Sequence, residues 1–279
     1  MKTLDEFLYR IQDFLLHHDQ DITTNQMKKV LDTGVSETYA YRIFVEEILN
    51  LHLEEDEYWK EVYLPRMISS LSTEIYQKDP YYQNIRIQNR RYGKWKLKRD
   101  KYDPYQAFIW RDFVYQDEKV FPQIGFFSRP FYFPAVYEGN RLWMSITPNE
   151  IETMKEPIAK AHGKVVTLGL GLGYFAYMAS IKQEVESVTI VERDESVIHL
   201  FKEVILPQFS HPEKIHIIHT DAFDFLSSLK DGDYDYLFAD LWHDAGDGKP
   251  LYLAIKNYEK KLPHVEFQYW IEDTIRYYL

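Results

Sequence analysis

Residues 165–173 read Val-Val-Thr-Leu-Gly-Leu-Gly-Leu-Gly, and nineteen residues past the last glycine stands Glu192. An apolar run ends in three alternating glycines, a helical stretch follows, and a second apolar run, Val188-Thr189-Ile190-Val191, closes on that acid. Glycines let the backbone turn tightly and let a ligand touch the main chain. A carboxylate at the end of the next strand can accept two hydrogen bonds from a ribose diol. The pattern predicts a nucleoside-containing cofactor lying across the carboxyl edge of a parallel sheet. The plainer reading is a tight strand-to-helix turn of any α/β protein, and Glu192 at this distance weighs against it. The dinucleotide spacing G-x-G-x-x-G is not met, because position 174 is Tyr174.

The spacing Gly169, Gly171, Gly173 resembles motif I of the class I S-adenosylmethionine-dependent methyltransferases and of the related spermidine synthases. Their cofactors carry no pyrophosphate, so a phosphate-cradling helix start is less needed. Two further segments stand where the resemblance requires them. Ile215-His216-Ile217-Ile218 is a short strand before Thr220-Asp221-Ala222. The resemblance implies that Asp221 contacts the adenine amino group and that the backbone of Ala222 contacts a ring nitrogen. Asp221 also suits the start of a helix over residues 223–229, and the two roles are compatible. The strand Tyr234-Asp235-Tyr236-Leu237-Phe238-Ala239 ends on Asp240 and matches the family's motif IV, at the mouth of the cofactor and acceptor pockets. The resemblance covers about residues 143–273. Thr167 stands where many methyltransferases carry an acid, a feature that spermidine synthases often lack as well. Residues 142–147 and a helix over 148–161 match the hairpin strand and helix that precede strand one in spermidine-synthase-like proteins. The Asp-Ser-Ser-Asp-Pro-like loop of those enzymes is replaced here by Asp240-Leu241-Trp242-His243-Asp244.

The expected fold is α/β, with a Rossmann-like methyltransferase parallel sheet in the order 3-2-1-4-5. Residues 266–271 make the fifth strand and only eight residues follow. The sheet therefore stops at five strands or is extended by earlier β segments. Three regions are expected: helical 1–84, a small antiparallel β unit over 85–147, and the S-adenosylmethionine-binding domain over 148–279. In the first, Leu4, Phe7, Leu8 and Ile11 recur at helical spacing, as do Tyr41, Phe44, Val45 and Ile48, then Tyr63-Leu64 with Met67 and Ile68. Gly34 breaks the pattern before a new cap at Ser36. In the second, residues 85–87, 95–97, 108–114 and 131–136 read as strands, punctuated by Pro104, Pro122, Pro130 and Pro134, with a hairpin turn at Glu138-Gly139-Asn140. The front half is expected to wall the acceptor mouth or to form a dimer interface.

Charge narrows the partners. The net charge is −11, and residues 151–279 hold 13 Lys/Arg against 21 Asp/Glu. The presumed catalytic half is acidic, which opposes nucleic acid as a partner and suits a small neutral or cationic acceptor. The basic stretch over residues 86–101, interleaved with Tyr92 and Trp95, keeps an RNA surface open. Its plainer reading is an edge strand with outward lysines. No cysteine is present, which excludes disulfides and thiolate chemistry. No apolar run reaches membrane-spanning length, and residues 1–6 lack a leader's apolar core. A cytoplasmic protein is expected; a homodimer is left open.

Methyl transfer from a sulfonium is a displacement of an activated group, so the protein mainly positions the reactants. Asp240, at the carboxyl end of a central strand, is the first candidate for the reaction centre, and His243 is a candidate base. Asp244 and Asp247, with Gly246 and Gly248, read as an acidic flexible loop or a turn. The resemblance also raises a catechol-methyltransferase-like magnesium site through Asp240 and Asp273, although Thr274 replaces the expected Asn, and no metal is assigned. The expected function is S-adenosylmethionine-dependent methyl transfer to a small-molecule or amine acceptor. The alternatives are a spermidine-synthase-like aminopropyltransferase and a non-catalytic cofactor-binding scaffold.

Overall fold

A computed structural model describes residues 3–279. Met1 and Lys2, the head of the segment read for a leader, lie outside the described residues. The strands are β1 Ile68–Leu71, β2 Arg90–Tyr92, β3 Trp95–Tyr102, β4 Phe108–Gln116, β5 Lys119–Phe127, β6 Phe131–Glu138, β7 Arg141–Ser145, β8 Gly163–Leu168, β9 Val185–Glu192, β10 Ile215–His219, β11 Tyr236–Ala239 and β12 Glu266–Tyr269. The chain divides into two compact units. One runs through Tyr76 and takes in Lys101–Tyr132; the other comprises Gln77–Asp100 and Phe133–Leu279.

In the first unit, helices Leu4–His17, Thr24–Leu31 and Glu37–Ile48 start where Thr3, Thr23 and Ser36 accept hydrogen bonds from the first-turn N–H groups. Their apolar stripes bury Phe7, Ile11, Phe14, Tyr41 and Val45 in one core. Tyr41 stacks on Phe126 at 3.9 Å between ring centres, and Phe7 stacks on Trp59 at 4.6 Å. The sheet order is β1-β5-β4, with β1 parallel and β4 antiparallel to β5.

Three local expectations are corrected. Ile68 ends its helical stripe and opens β1, paired with Ile124. Pro122 does not punctuate but lies within β5, opposite the register shift between Arg111 and Val114, where the ladder does not need its missing N–H. Residues 85–87 are not a strand. The Gln208 amide takes the place of a neighbouring strand, accepting from the Arg86 N–H at 2.8 Å and donating to its carbonyl at 3.1 Å.

The second unit carries a five-stranded parallel sheet in the order β10-β9-β8-β11-β12, which is 3-2-1-4-5 in the order the strands occur. Among the described residues it stops at five strands, and the earlier β segments form sheets of their own. Val165, Val166 and Leu168 are fully buried, as expected of a strand with helices on both faces. In the sheet β2-β3-β6-β7, β3 is an inner strand and the exposed Arg90-Arg91-Tyr92 form the edge, which corrects the edge reading of the lysine-rich segment. Trp95 and Leu97 turn inward, while Lys94 and Lys98 pair with Glu138 and Asp100. Residues 244–248 are a helix start, not a flexible loop. Asp244 and Asp247 close a reciprocal capping box on the helix Ala245–Glu259. No helix among the described residues is long and apolar enough to cross a membrane.

Candidate functional site

At the end of β8 the three glycines all take positive φ, of 98° at Gly169, 52° at Gly171 and 72° at Gly173. Each also lies against a different neighbour. A Cβ at 169 would meet the Asp240 carbonyl, at 171 the Met144 sulfur, and at 173 the Phe201 ring. Backbone conformation and close approach thus both demand glycine. The Met144 sulfur also accepts from the Leu172 N–H at 3.2 Å, so β7 is fastened over the turn.

Glu192 ends β9. One of its oxygens accepts from the Leu170 N–H at 3.2 Å and the other from the Asp194 N–H at 2.8 Å. Burial raises its pKa despite these donors. A carboxylate has about four acceptor positions, so lone pairs remain for a ligand. Asp221 caps the helix Ala222–Ser228 with Oδ1, which accepts from the Phe223 N–H at 2.8 Å. Among the described residues its Oδ2 takes no protein hydrogen bond.

Asp240 follows β11, its N–H bonded to the Leu168 carbonyl at 3.0 Å. Burial raises its carboxyl to about 7. Sequence reasoning missed the neighbour of Asp240. Glu150, in the first turn of the helix Pro148–Lys160, is 7% exposed. Burial, and then the charge of Asp240, hold its carboxyl well above the usual carboxylate range. The spacing Thr147-Pro148-Asn149-Glu150 fits a capping box. The structure has no side-chain cap there, so the motif is present while its usual use is not.

These groups meet at one cavity of about 770 Å3. Gly169, Gly171, Glu192, Asp221, Ala222, Asp240 and His243 line it; Gly173 does not, and serves the packing of Phe201 instead. Trp95, Glu138, Trp143, Glu150 and Trp270 are also part of its wall. No local motif marks these five as lining residues: Trp95 and Trp270 stand far in sequence from Glu138, Trp143 and Glu150. Trp270 closes one side, its indole N–H bonded to Thr153 at 2.9 Å while its carbonyl accepts from Trp242 at 3.2 Å. The Trp242 ring leaves no room for a Cβ at Gly248. The His243 ring lies edge-on to Trp143 at 4.5 Å, and its Nδ1 is 3.0 Å from Asp247. Burial tends to raise Asp247, but hydrogen bonds from the Asp244 N–H and His243 outweigh it and lower its pKa. His243 is therefore an oriented imidazole. Asp273 is exposed and outside the cavity, so Asp240 and Asp273 do not come together there. No group of three potential metal ligands occurs among the described residues.

Residues 160–262 match the family model of the spermine/spermidine synthase domain. No curated protein sequence matches the chain. Two of the solved structures that are similar to parts of it follow. One is precorrin 8W decarboxylase of Methanobacterium thermoautotrophicum, at 17% identity and a TM-score of 0.34, covering 46% of this chain and 67% of that one. The other is a conserved hypothetical protein of Streptococcus pyogenes, at 16% identity and a TM-score of 0.30, covering 36% of this chain and 60% of that one. The glycine turn, the 3-2-1-4-5 sheet and the matched segment together identify a Rossmann-like fold of the methyltransferase and spermidine-synthase type, similar over residues 160–262 to the spermine/spermidine synthase domain.

Proposed function

We propose that the chain is an S-adenosylmethionine-dependent methyltransferase acting on a small-molecule or amine acceptor. The observation that carries this reading is the convergence of the glycine turn, Glu192, Asp221 and Asp240 on one cavity. Its volume lies within the usual range of about 300–1,000 Å3 for ligand sites. Glu192 retains lone pairs for ribose hydroxyls and Asp221 a free oxygen for the adenine amino group. Gly169 and Gly171 keep side chains out of the wall. S-adenosylmethionine, when bound, supplies a methyl group already activated on a sulfonium. What remains for the protein is to orient the acceptor, exclude water and accept a proton. Asp240, with its carboxyl near 7, suits proton uptake at neutral pH. His243, held by Asp247, is a second base.

Calorimetric titration with S-adenosylhomocysteine tests this, and no heat at millimolar ligand would sink it. Glu192→Ala should weaken binding by roughly 1–3 kcal/mol, the cost of losing charge-assisted hydrogen bonds.

Aminopropyl transfer is the second reading. The match to the spermine/spermidine synthase domain favours it. So does a second observation: the lysine and arginine of the cavity wall are Lys94, tied to Glu138 at 2.6 Å, and the exposed Arg193. Neither is free and buried to receive the carboxylate of S-adenosylmethionine. Comparing that cofactor with its decarboxylated form separates the readings, since preference for the carboxylate-bearing form would eliminate aminopropyl transfer.

A further inference from the structure

Residues 86–99 hold seven Lys/Arg and no Asp or Glu, in a chain whose net charge is −11. The fold neutralises some of these cations and leaves others bare. Lys94 meets Glu138 at 2.6 Å and Asp194 at 3.7 Å, and Lys98 meets Asp100 at 3.0 Å. Arg86, Arg90, Arg91 and Lys96 are exposed, and among the described residues no acid pairs with any of them. Arg86 and Arg91 donate to neutral carbonyls, of Tyr82 at 3.2 Å and of Gly93 at 3.3 Å.

Lys96 is the informative member. β2 is the edge of its sheet and β3 lies inside it. A charge on an edge strand discourages pairing with another chain, which accounts for Arg90 and Arg91. It does not account for Lys96, which stands on the inner strand in register with Arg91. Side chains so paired have Cβ atoms about 4.5–5.5 Å apart, and like charges placed there repel. No acid of the chain relieves the pair, so the stability of the sheet does not explain it. An anion from outside does.

The chemistry of the strip narrows that anion. Three of the four bare cations are arginines, whose planar guanidinium fork matches phosphate. Tyr92, 42% exposed, follows Arg91 and lies against the His199 ring at 4.0 Å between centres. Aromatic rings set among phosphate-binding cations are platforms for unpaired bases. An acidic peptide would use the charge and leave the ring idle. We propose that the β2–β3 edge docks single-stranded nucleic acid. Arg91 and Lys96 share one phosphate, Arg86 and Arg90 neutralise its neighbours, and Tyr92 carries a base. The acidic remainder of the chain repels the same polymer and so confines it to this strip. None of the four cations lines the cavity, so the docking is independent of methyl transfer.

Fluorescence anisotropy of the full chain with a fluorescein-labelled single-stranded RNA of about 12 nucleotides, within the usual length of such sites, tests this. Four cations on phosphates predict that affinity falls about fiftyfold between about 0.05 and 0.2 M sodium chloride. Arg91→Gln combined with Lys96→Gln should weaken binding about tenfold or more at the lower salt and reduce that fall to about sevenfold. The thermal midpoint of this double variant should hold or rise, because a repulsion is removed. Tyr92→Leu should weaken binding about fivefold or more and leave the salt dependence as it was. No binding at the lower salt would overturn the proposal. So would unchanged affinity or unchanged salt dependence in the double variant, or a lowered midpoint, which would make the pair a structural element. Displacement of the RNA by polyglutamate at the same or a lower concentration than by unlabelled RNA would overturn it in favour of an acidic protein segment.

Discussion

Asp240 ties the chemistry of this cavity to the stability of the fold. Its carboxyl is raised by burial to about 7, whereas an unfolded Asp titrates near 3.9. The protonated form is therefore the one the folded chain prefers. Its contribution to stability is complete below about pH 4 and is lost as pH rises through about 7. Glu150 and Glu192, both raised, act in the same direction. The thermal midpoint should fall between pH 5 and pH 8, and Asp240→Asn should flatten that fall. Each kcal/mol of such linkage moves the midpoint of a domain of this size by about 2–4 °C. Differential scanning calorimetry of both proteins across that range checks the prediction. An equal slope in the variant would show that Asp240 titrates normally.

Elements meet at the glycine turn. β8 delivers Gly169, Gly171 and Gly173, β11 brings the Asp240 carbonyl, and β7 lays Met144 across Gly171. A side chain at 171 faces two costs at once: a left-handed backbone, worth about 1–2 kcal/mol, and overpacking against the Met144 sulfur, worth about 1–3 kcal/mol. Gly171→Ala should therefore lose roughly 2–5 kcal/mol in denaturant unfolding. Met144→Ala in the same chain should return the overpacking share while leaving the backbone share. If the double variant gains nothing, contact with Met144 is not what excludes a side chain at 171. The first turn of Ala245–Glu259 shows how one local reading fails: Asp244-Ala245-Gly246-Asp247-Gly248 looks like a loop by composition, yet its two acids cap a helix reciprocally and its second glycine is a seat for Trp242.

On the scale of the whole molecule the net charge is −11, most of it in residues 151–279. A field of that sign raises the local concentration of cations around a cleft and is screened by salt, with a Debye length of about 10 Å at 0.1 M. Association of 1,4-diaminobutane should weaken several-fold between 0.05 and 0.5 M sodium chloride, roughly the span over which screening shortens from about 14 to 4 Å. S-adenosylhomocysteine, which carries no net charge, should change little. Titrations at the two salt concentrations measure both. Equal salt dependence of the two ligands would show that charge does not distinguish them.

The parallel sheet and its order, the glycine turn and the strand ends that carry Glu192, Asp221 and Asp240 were legible in the sequence because each follows from a local rule. A strand ends, a turn needs glycine, and an acid stands a fixed distance further on. Asp221 even reads as a cap and is one. The individual residues of the other half of the cavity were not legible. Trp95, Glu138, Trp143 and Glu150 come from segments that precede the glycine turn, and only the folded chain sets them across from β9 and β11. β5 was hidden by Pro122, whose missing N–H is harmless only because a register shift lies opposite. Residues 85–87 looked like a strand until Gln208, over a hundred positions away, met their hydrogen-bonding needs. Glu150 carried the spacing of a cap, and only tertiary burial beside Asp240 set it apart from one. Local spacing determines which backbone shapes and single-strand ends a chain can form. Which charges lose their water together depends on long-range packing, and here that decided the acids of the site.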